Sequence, residues 1–155
     1  MNVLNVHQRR VQRPLQEVFR ELAALGTARD RIWPEPAMPF RRTDGPMRVG
    51  ITRERHGGIR AVLDDYRENE RIVWRADLPY LRGTHAFEVQ DLGNGTTLVR
   101  HAVQADLPWW FAPVWRFRIG GIHDRILEAL LDRLASRPES TTAEPVVVDA
   151  GGDDS

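Results

Sequence analysis

The 155-residue sequence contains no cysteine and no lysine. Without cysteine there is no disulfide, no thiolate metal ligand and no thiol nucleophile. Without lysine there is no Schiff-base chemistry. Serine is nearly as scarce. The first is Ser136, so the body of the chain also lacks a serine nucleophile. Thr84, Thr96 and Thr97 sit near expected turns with no evident base beside them. No apolar run approaches the length of a membrane span, and Arg116 and Arg118 interrupt the best candidate. The opening MNVLNVHQRR has no basic stretch ahead of an apolar one, so no secretory leader is expected and the reading is cytoplasmic. Neither GxxxxGK[ST] nor GxGxxG occurs, which removes the usual phosphate loops.

An excess of charge of either sign is also missing. The formal net charge is +0, which leaves no electrostatic footprint for nucleic acid. Residues 1–136 hold 21 arginines against 17 acids, and residues 137–155 hold one against five. The exclusive use of arginine fits the codon bias of a GC-rich bacterial genome. Residues 137–155, rich in Pro, Ser, Thr and acids, are expected to be a disordered tail on a single domain spanning 1–136.

What is present has a clear order. Val3, Leu4, Val6 and Val11 predict a first strand over 3–11. Pro14 suits a first helical turn, Val18, Phe19, Leu22 and Leu25 follow at helical spacing, and Gly26 stops the helix. Thr27 is expected to cap a second short helix through Ile32. Four prolines make 33–46 a loop. Period-two alternation then predicts strands over 47–55, 59–67, 71–77, 84–92 and 96–107, with hairpin signals at His56-Gly57-Gly58 and Gly93-Asn94-Gly95. Ile119, Ile122, Ile126, Leu127, Leu130, Leu131 and Leu134 mark a long final helix. Gly120-Gly121 inside it predicts a kink or a close contact. The fold class is α+β: a curved antiparallel sheet of about six strands wrapped around the long C-terminal helix, with two short helices after the first strand.

Alternation also assigns an inner face. Val99, His101 and Val103 share one side of the last strand, His85 and Phe87 of the one before, and Trp74 stands with Ile72 on the third. An interior lined by Trp74, His85, Phe87, Val99, His101 and Val103, with His123 and Ile119 from the helix, is a mostly apolar pocket with a few polar groups. A histidine on such a face is either a core residue with a satisfied ring or a functional acid–base group, since imidazole has an ordinary pKa near 6.5. No third ligand at suitable spacing presents itself beside the histidines, so neither a metal nor any other cofactor is expected.

The stretch LPWWFAPVWRFRIGG packs Trp109, Trp110, Phe111, Trp115 and Phe117 into nine positions between the last strand and the helix. These rings either gate the pocket, dip transiently into a membrane surface beside Arg116 and Arg118, or pack the helix start onto the sheet.

VQRPLQEVFREL (11–22), RIVWR (71–75), GTHAFEVQDLGNGTTLVRHAVQ (83–104) and GIHDRILEALLDRL (121–134) together resemble the START/Bet v 1-like (SRPBCC) superfamily, in particular its bacterial polyketide cyclase/dehydrase and lipid-transport group. The resemblance covers nearly all of 1–136. It implies the helix-grip fold and a hydrophobic cavity between sheet and helix that takes a lipid- or polyketide-like small molecule. Three readings follow: a ligand-binding protein, a cyclase, aromatase or dehydratase working by acid–base catalysis through His85, His101 and Tyr66, and an interaction module presenting the Trp109–Phe117 patch. The partner expected first is a hydrophobic small molecule; the oligomeric state is left open.

Overall fold

The computed structural model describes residues 1–137, and the expected tail falls otherwise outside the described residues. Seven antiparallel strands form one sheet: β1 (Asn2–Val11), β2 (Arg41–Arg42), β3 (Arg53–His56), β4 (Ile59–Arg67), β5 (Arg71–Ala76), β6 (Arg82–Gly93) and β7 (Thr96–Asp106). Their order is β1-β7-β6-β5-β4-β3-β2, so the first strand closes against the last. Helix α1 (Leu15–Ala23) follows β1. A continuous C-terminal helix occupies 112–136: Ala112–Val114, a π turn at Trp115–Ile119, then Gly120–Ser136. This is the sheet-and-helix architecture that the alternation and the final apolar stripe predict, and the helix-grip fold that the resemblance implies.

The second short helix does not form. Asp30 takes the backbone N–H groups of Gly26, Ile32 and Trp33 with its carboxylate. Those donors are then bound in a compact turn that buries Ile32 completely. Gly26 ends α1 with φ +75, and a Cβ there would lie 2.6 Å from Phe40 Cδ1 and 2.7 Å from Arg42 N. Only glycine fits such a position. The expected strand over 47–55 is also shorter. Gly50, at φ +75, turns the chain, and pairing with β4 begins only at Arg53. The two-residue β2 arises inside the proline loop and brings the strand count to seven.

Strand β4 resolves an ambiguity of the sequence. A bulge between Leu63 and Asp65 shifts its alternation by one residue. Leu63 pairs with Trp74 and Tyr66 with Ile72, so residues of both phases point to the core, and Tyr66 meets Phe19 with ring centroids 5.9 Å apart.

The main core lies between the sheet, α1 and the second half of the C-terminal helix. Val11, Val18, Leu63, Val99, Leu130, Leu131 and Leu134 are fully buried in it. Beside it, β1 meets the helix through polar groups. Asn5, His7 and Arg9 alternate on the inner face of β1, and Asp124, Glu128 and Asp132 recur every fourth residue on the helix. Two strand residues span about 6.8 Å and four helical residues about 6.0 Å, so the rows stay in step. Asn5 Nδ2 donates to Asp124 at 2.8 Å, His7 lies against both Asp124 and Glu128, and Arg9 donates to Glu128 at 2.6 Å and also to Asp132. Leu4, on the opposite face of the strand, is 71% exposed.

Candidate functional site

Between the sheet and the C-terminal helix lies a cavity of about 210 Å³. Its walls are mostly apolar. Phe87, Val103 and Ala105 come from the sheet, Ile119, Ile126 and Leu130 from the helix, and Trp33, Met38 and Phe40 from the proline loop. Four of the chain's five histidines, His56, His85, His101 and His123, interrupt this surface.

Strand pairing explains how they converge. His85 and His101 project from adjacent strands on the inner face, where alternation placed them. His56 ends β3, and Gly57-Gly58 make the two-residue turn after it, with φ +51 and +85. Phe40 then stacks on the His56 ring at 5.1 Å. His123 enters from the first turn of the segment Gly120–Ser136. Ring centroids run 5.4 Å from His56 to His85, 5.9 Å to His101, 5.4 Å to His123 and 6.1 Å to His7. All five imidazoles therefore form one file.

Beneath two of them lies a buried carboxylate. Glu54 pairs with Ala61 across β3 and β4 and so points inward, where its side chain is 0% exposed. Its Oε2 accepts from His56 Nδ1 at 2.7 Å and its Oε1 from His85 Nε2 at 3.0 Å. Burial works against its charge, but the hydrogen bonds from His56 and His85 outweigh burial and hold the carboxyl at about 2. An ionised carboxylate only accepts, so each ring donates with the nitrogen that faces Glu54. In the neutral form of each ring the lone pair then falls on the other nitrogen: Nε2 of His56 and Nδ1 of His85. Among the described residues neither of these atoms has a hydrogen-bond partner.

Burial disfavours a proton on either of the other two rings. For His101, burial first, then repulsion from a proton on His85 or His123, keeps the imidazole well below its ordinary range. Its Nδ1 is buried without a hydrogen-bond partner. Burial and then His85 bring His123 down to about 4.

Of the residues picked out from the sequence, His85, Phe87, His101, Val103, Trp115, Ile119 and His123 line the cavity. Trp74 and Val99 do not. Trp74 is a core residue behind the first layer, stacked on His85 at 6.4 Å, and Val99 is fully buried. Tyr66 also lies outside the lining, and burial pushes its phenol up. The aromatic cluster divides. Trp115 and Phe111 turn inward to the cavity, whereas Trp109 is 85%, Trp110 50% and Phe117 79% exposed. Trp109 and Trp110 are therefore outside the cavity wall. The π turn precedes Gly120, where a Cβ would lie 3.2 Å from Trp115 O, so the expected close contact at Gly120-Gly121 falls on the first glycine.

Glu54 and His56 are the site residues that sequence reasoning missed. RERH reads as a wholly polar run, and only its pairing with the apolar 59–63 segment reveals an inward carboxylate. The expectation that the histidines lack a third ligand is also corrected. Two groups of three donors come together in the fold: Glu54, His56 and His85, and His7, His123 and Asp124. They join positions from β1, β3, β6 and the helix, which no local spacing displays.

No protein-family model matches the sequence, and none of the curated proteins compared with it is significantly similar. Solved structures do match. A protein of Nitrosospira multiformis superposes with a TM-score of 0.63 at 16% identity, covering 86% of this chain and 94% of that one. Norcoclaurine synthase of Thalictrum flavum, a point mutant in complex with a transition-state analogue, gives 0.63 at 10% identity, over 86% and 94%. The Aha1 dimer of Colwellia psychrerythraea gives 0.59 at 16%, over 86% and 97%. At these identities the likeness is one of fold: a curved antiparallel sheet with a long C-terminal helix across it. No helix among the described residues is long and apolar enough to cross a membrane.

Proposed function

We propose that this chain binds a compact hydrophobic small molecule, lipid- or polyketide-like in its apolar part, in the cavity between the sheet and the C-terminal helix. The carrying observation is the cavity itself: an apolar chamber with imidazoles from three strands and the helix along one file. Its volume of about 210 Å³ lies below the roughly 300–1,000 Å³ of drug-sized sites. That favours one or two rings or a short chain over a long acyl tail. A polar group of the ligand would meet Nε2 of His56 or Nδ1 of His85, two of the ring nitrogens left without a partner.

The two-ring, environment-sensitive dye 6-propionyl-2-dimethylaminonaphthalene tests this. Saturable one-to-one binding with blue-shifted emission is expected, with most of the affinity lost in Val103→Trp, which fills the cavity. Circular dichroism checks that this variant folds. Binding that is unsaturable, or equal in Val103→Trp, overturns the reading.

One observation favours catalysis in the same chamber. A buried carboxylate that orients two imidazoles by accepting a hydrogen bond from each is the arrangement of a general base. The base would take a proton from the ligand at His85 Nδ1 or His56 Nε2, and Glu54 would balance the imidazolium formed. Such chemistry suits an aldol-type ring closure or a dehydration. The probe 5-nitrobenzisoxazole opens when a base removes its ring C–H proton. Turnover by the native protein, lost in His85→Ala and in Glu54→Gln, supports this reading. Equal rates in all three proteins sink it.

A further inference from the structure

We propose a second site, for a divalent transition-metal ion of the zinc type, where β1 crosses the C-terminal helix. Its ligands are His7 Nε2, His123 Nδ1 and Asp124 Oδ1. One donor atom from each residue lies within 4.8 Å of the others. His7 Nε2 is 3.0 Å from Asp124 Oδ1, and His123 Nδ1 is 3.8 Å from the same oxygen. Ligands of a tetrahedral zinc ion with bonds near 2.05 Å stand about 3.3 Å apart. The two observed separations bracket that value, so the ion draws one pair slightly apart and the other slightly together.

Three further observations point to a cation here. His123 Nδ1 is buried and has no hydrogen-bond partner. Asn5 holds Asp124 through its Nδ2 at 2.8 Å, yet its own Oδ1 is likewise buried and unpartnered. Rotation of that amide presents an oxygen as a fourth donor. Lastly, His7 faces a carboxylate with each nitrogen, Nδ1 lying 2.6 Å from Glu128 Oε1. A metal on the Nε2 lone pair leaves Nδ1–H to donate to Glu128. A carboxylate behind a ligating imidazole is the usual outer shell of such a site, and Arg9 in turn holds Glu128.

The donor set of two imidazoles and one carboxylate suits zinc over calcium or magnesium, which favour oxygen. The ion would tie β1 to the helix at the edge of the cavity, since His123 also lines that chamber. This site shares no ligand with the Glu54 group.

The test is zinc binding to full-length, untagged protein after chelator treatment, measured by competition with a chromophoric chelator. Cobalt(II) serves as a spectroscopic substitute. One ion per chain is expected, with the visible bands of tetrahedral cobalt and a zinc-dependent rise in Tm. Asp124→Asn and His123→Ala abolish all three. Glu128→Gln weakens binding by about 10- to 100-fold, as expected for an outer-shell partner. Asp124 is half-exposed, so its isosteric variant keeps the test valid should His123→Ala fail to fold. No binding by the native protein, or binding unchanged in Asp124→Asn, overturns the site. Binding lost in Glu54→Gln but kept in Asp124→Asn puts the ion on the other triad and overturns it equally. Retained dye binding by metal-free protein separates failure here from failure of the cavity reading.

Discussion

His85 Nε2 and Glu54 Oε1 stand 3.0 Å apart inside the sheet, although 31 residues separate them in the chain. Glu54 contributes no apolar burial; its contribution lies in charge and hydrogen bonding. Its carboxyl is held at about 2, against an ordinary 4.5. A depressed carboxyl stabilises the fold above its unfolded pKa, and that contribution disappears as pH falls through the folded one. The shift corresponds to about 3 kcal/mol. Glu54→Gln is therefore expected to be less stable than the parent by up to about this amount at pH 7. The gap should close between pH 4.5 and 2. His101 destabilises acid states as well, but it does so in both proteins, so the difference isolates Glu54. Urea unfolding at several pH values measures it, and a gap that stays constant into acid refutes the assignment.

Arg13 is 2% exposed and lies 3.3 Å from Glu17, 3.7 Å from Glu21 and 3.3 Å from the carbonyl of Leu134. It links the end of β1, α1 and the end of the C-terminal helix. Arg13→Ala leaves carboxylates partly buried without this partner, at a cost of about 3–5 kcal/mol. Arg13→Lys should recover only part of that, because one ammonium cannot reproduce the planar fork. Thermal denaturation of both variants decides it, and a parental Tm in Arg13→Ala would contradict the account.

Leu131 is fully buried in the main core, away from the cavity lining. Leu131→Ala is expected to lose about 2–5 kcal/mol through lost transfer energy and the void left behind. Dye affinity per folded molecule should stay close to parental. A loss of affinity at full folding would tie this layer to the cavity instead.

The outer aromatic patch offers the reverse case. Trp109 and Phe117 are largely exposed, so Trp109→Ser should move stability by no more than about 0.5 kcal/mol. With Trp110→Ser added, binding to anionic lipid vesicles should fall if the exposed rings, with Arg116 and Arg118, form an interfacial surface. Vesicle co-sedimentation gives the answer. Equal sedimentation by parent and double variant would remove this patch from consideration as an interaction surface.

The fold was legible because its strands are half-buried and its final helix has one apolar stripe. The same alternation found His85, Phe87, His101 and Val103. It failed at three places, each for a physical reason. The β4 bulge reverses the phase that Tyr66 would otherwise have. The turn over 27–32 is held by the side chain of Asp30, which competes with helix hydrogen bonds. Glu54 faces inward from a strand only four residues long, too short for a period to be read. The inner face of β1 misleads in a different way. Asn5, His7 and Arg9 look like a solvent face until the acidic row of the helix is brought against them.

The file of five imidazoles has a practical consequence for observing the protein at work. The sequence holds no other histidine, so every imidazole resonance in a proton spectrum originates at the cavity wall or the adjoining clamp. A ligand entering the chamber perturbs His56, His85, His101 and His123, whereas an ion at the clamp broadens or shifts His7 and His123. The chain thus carries its own reporters, and the pattern of signals that move distinguishes which of two neighbouring places has been filled.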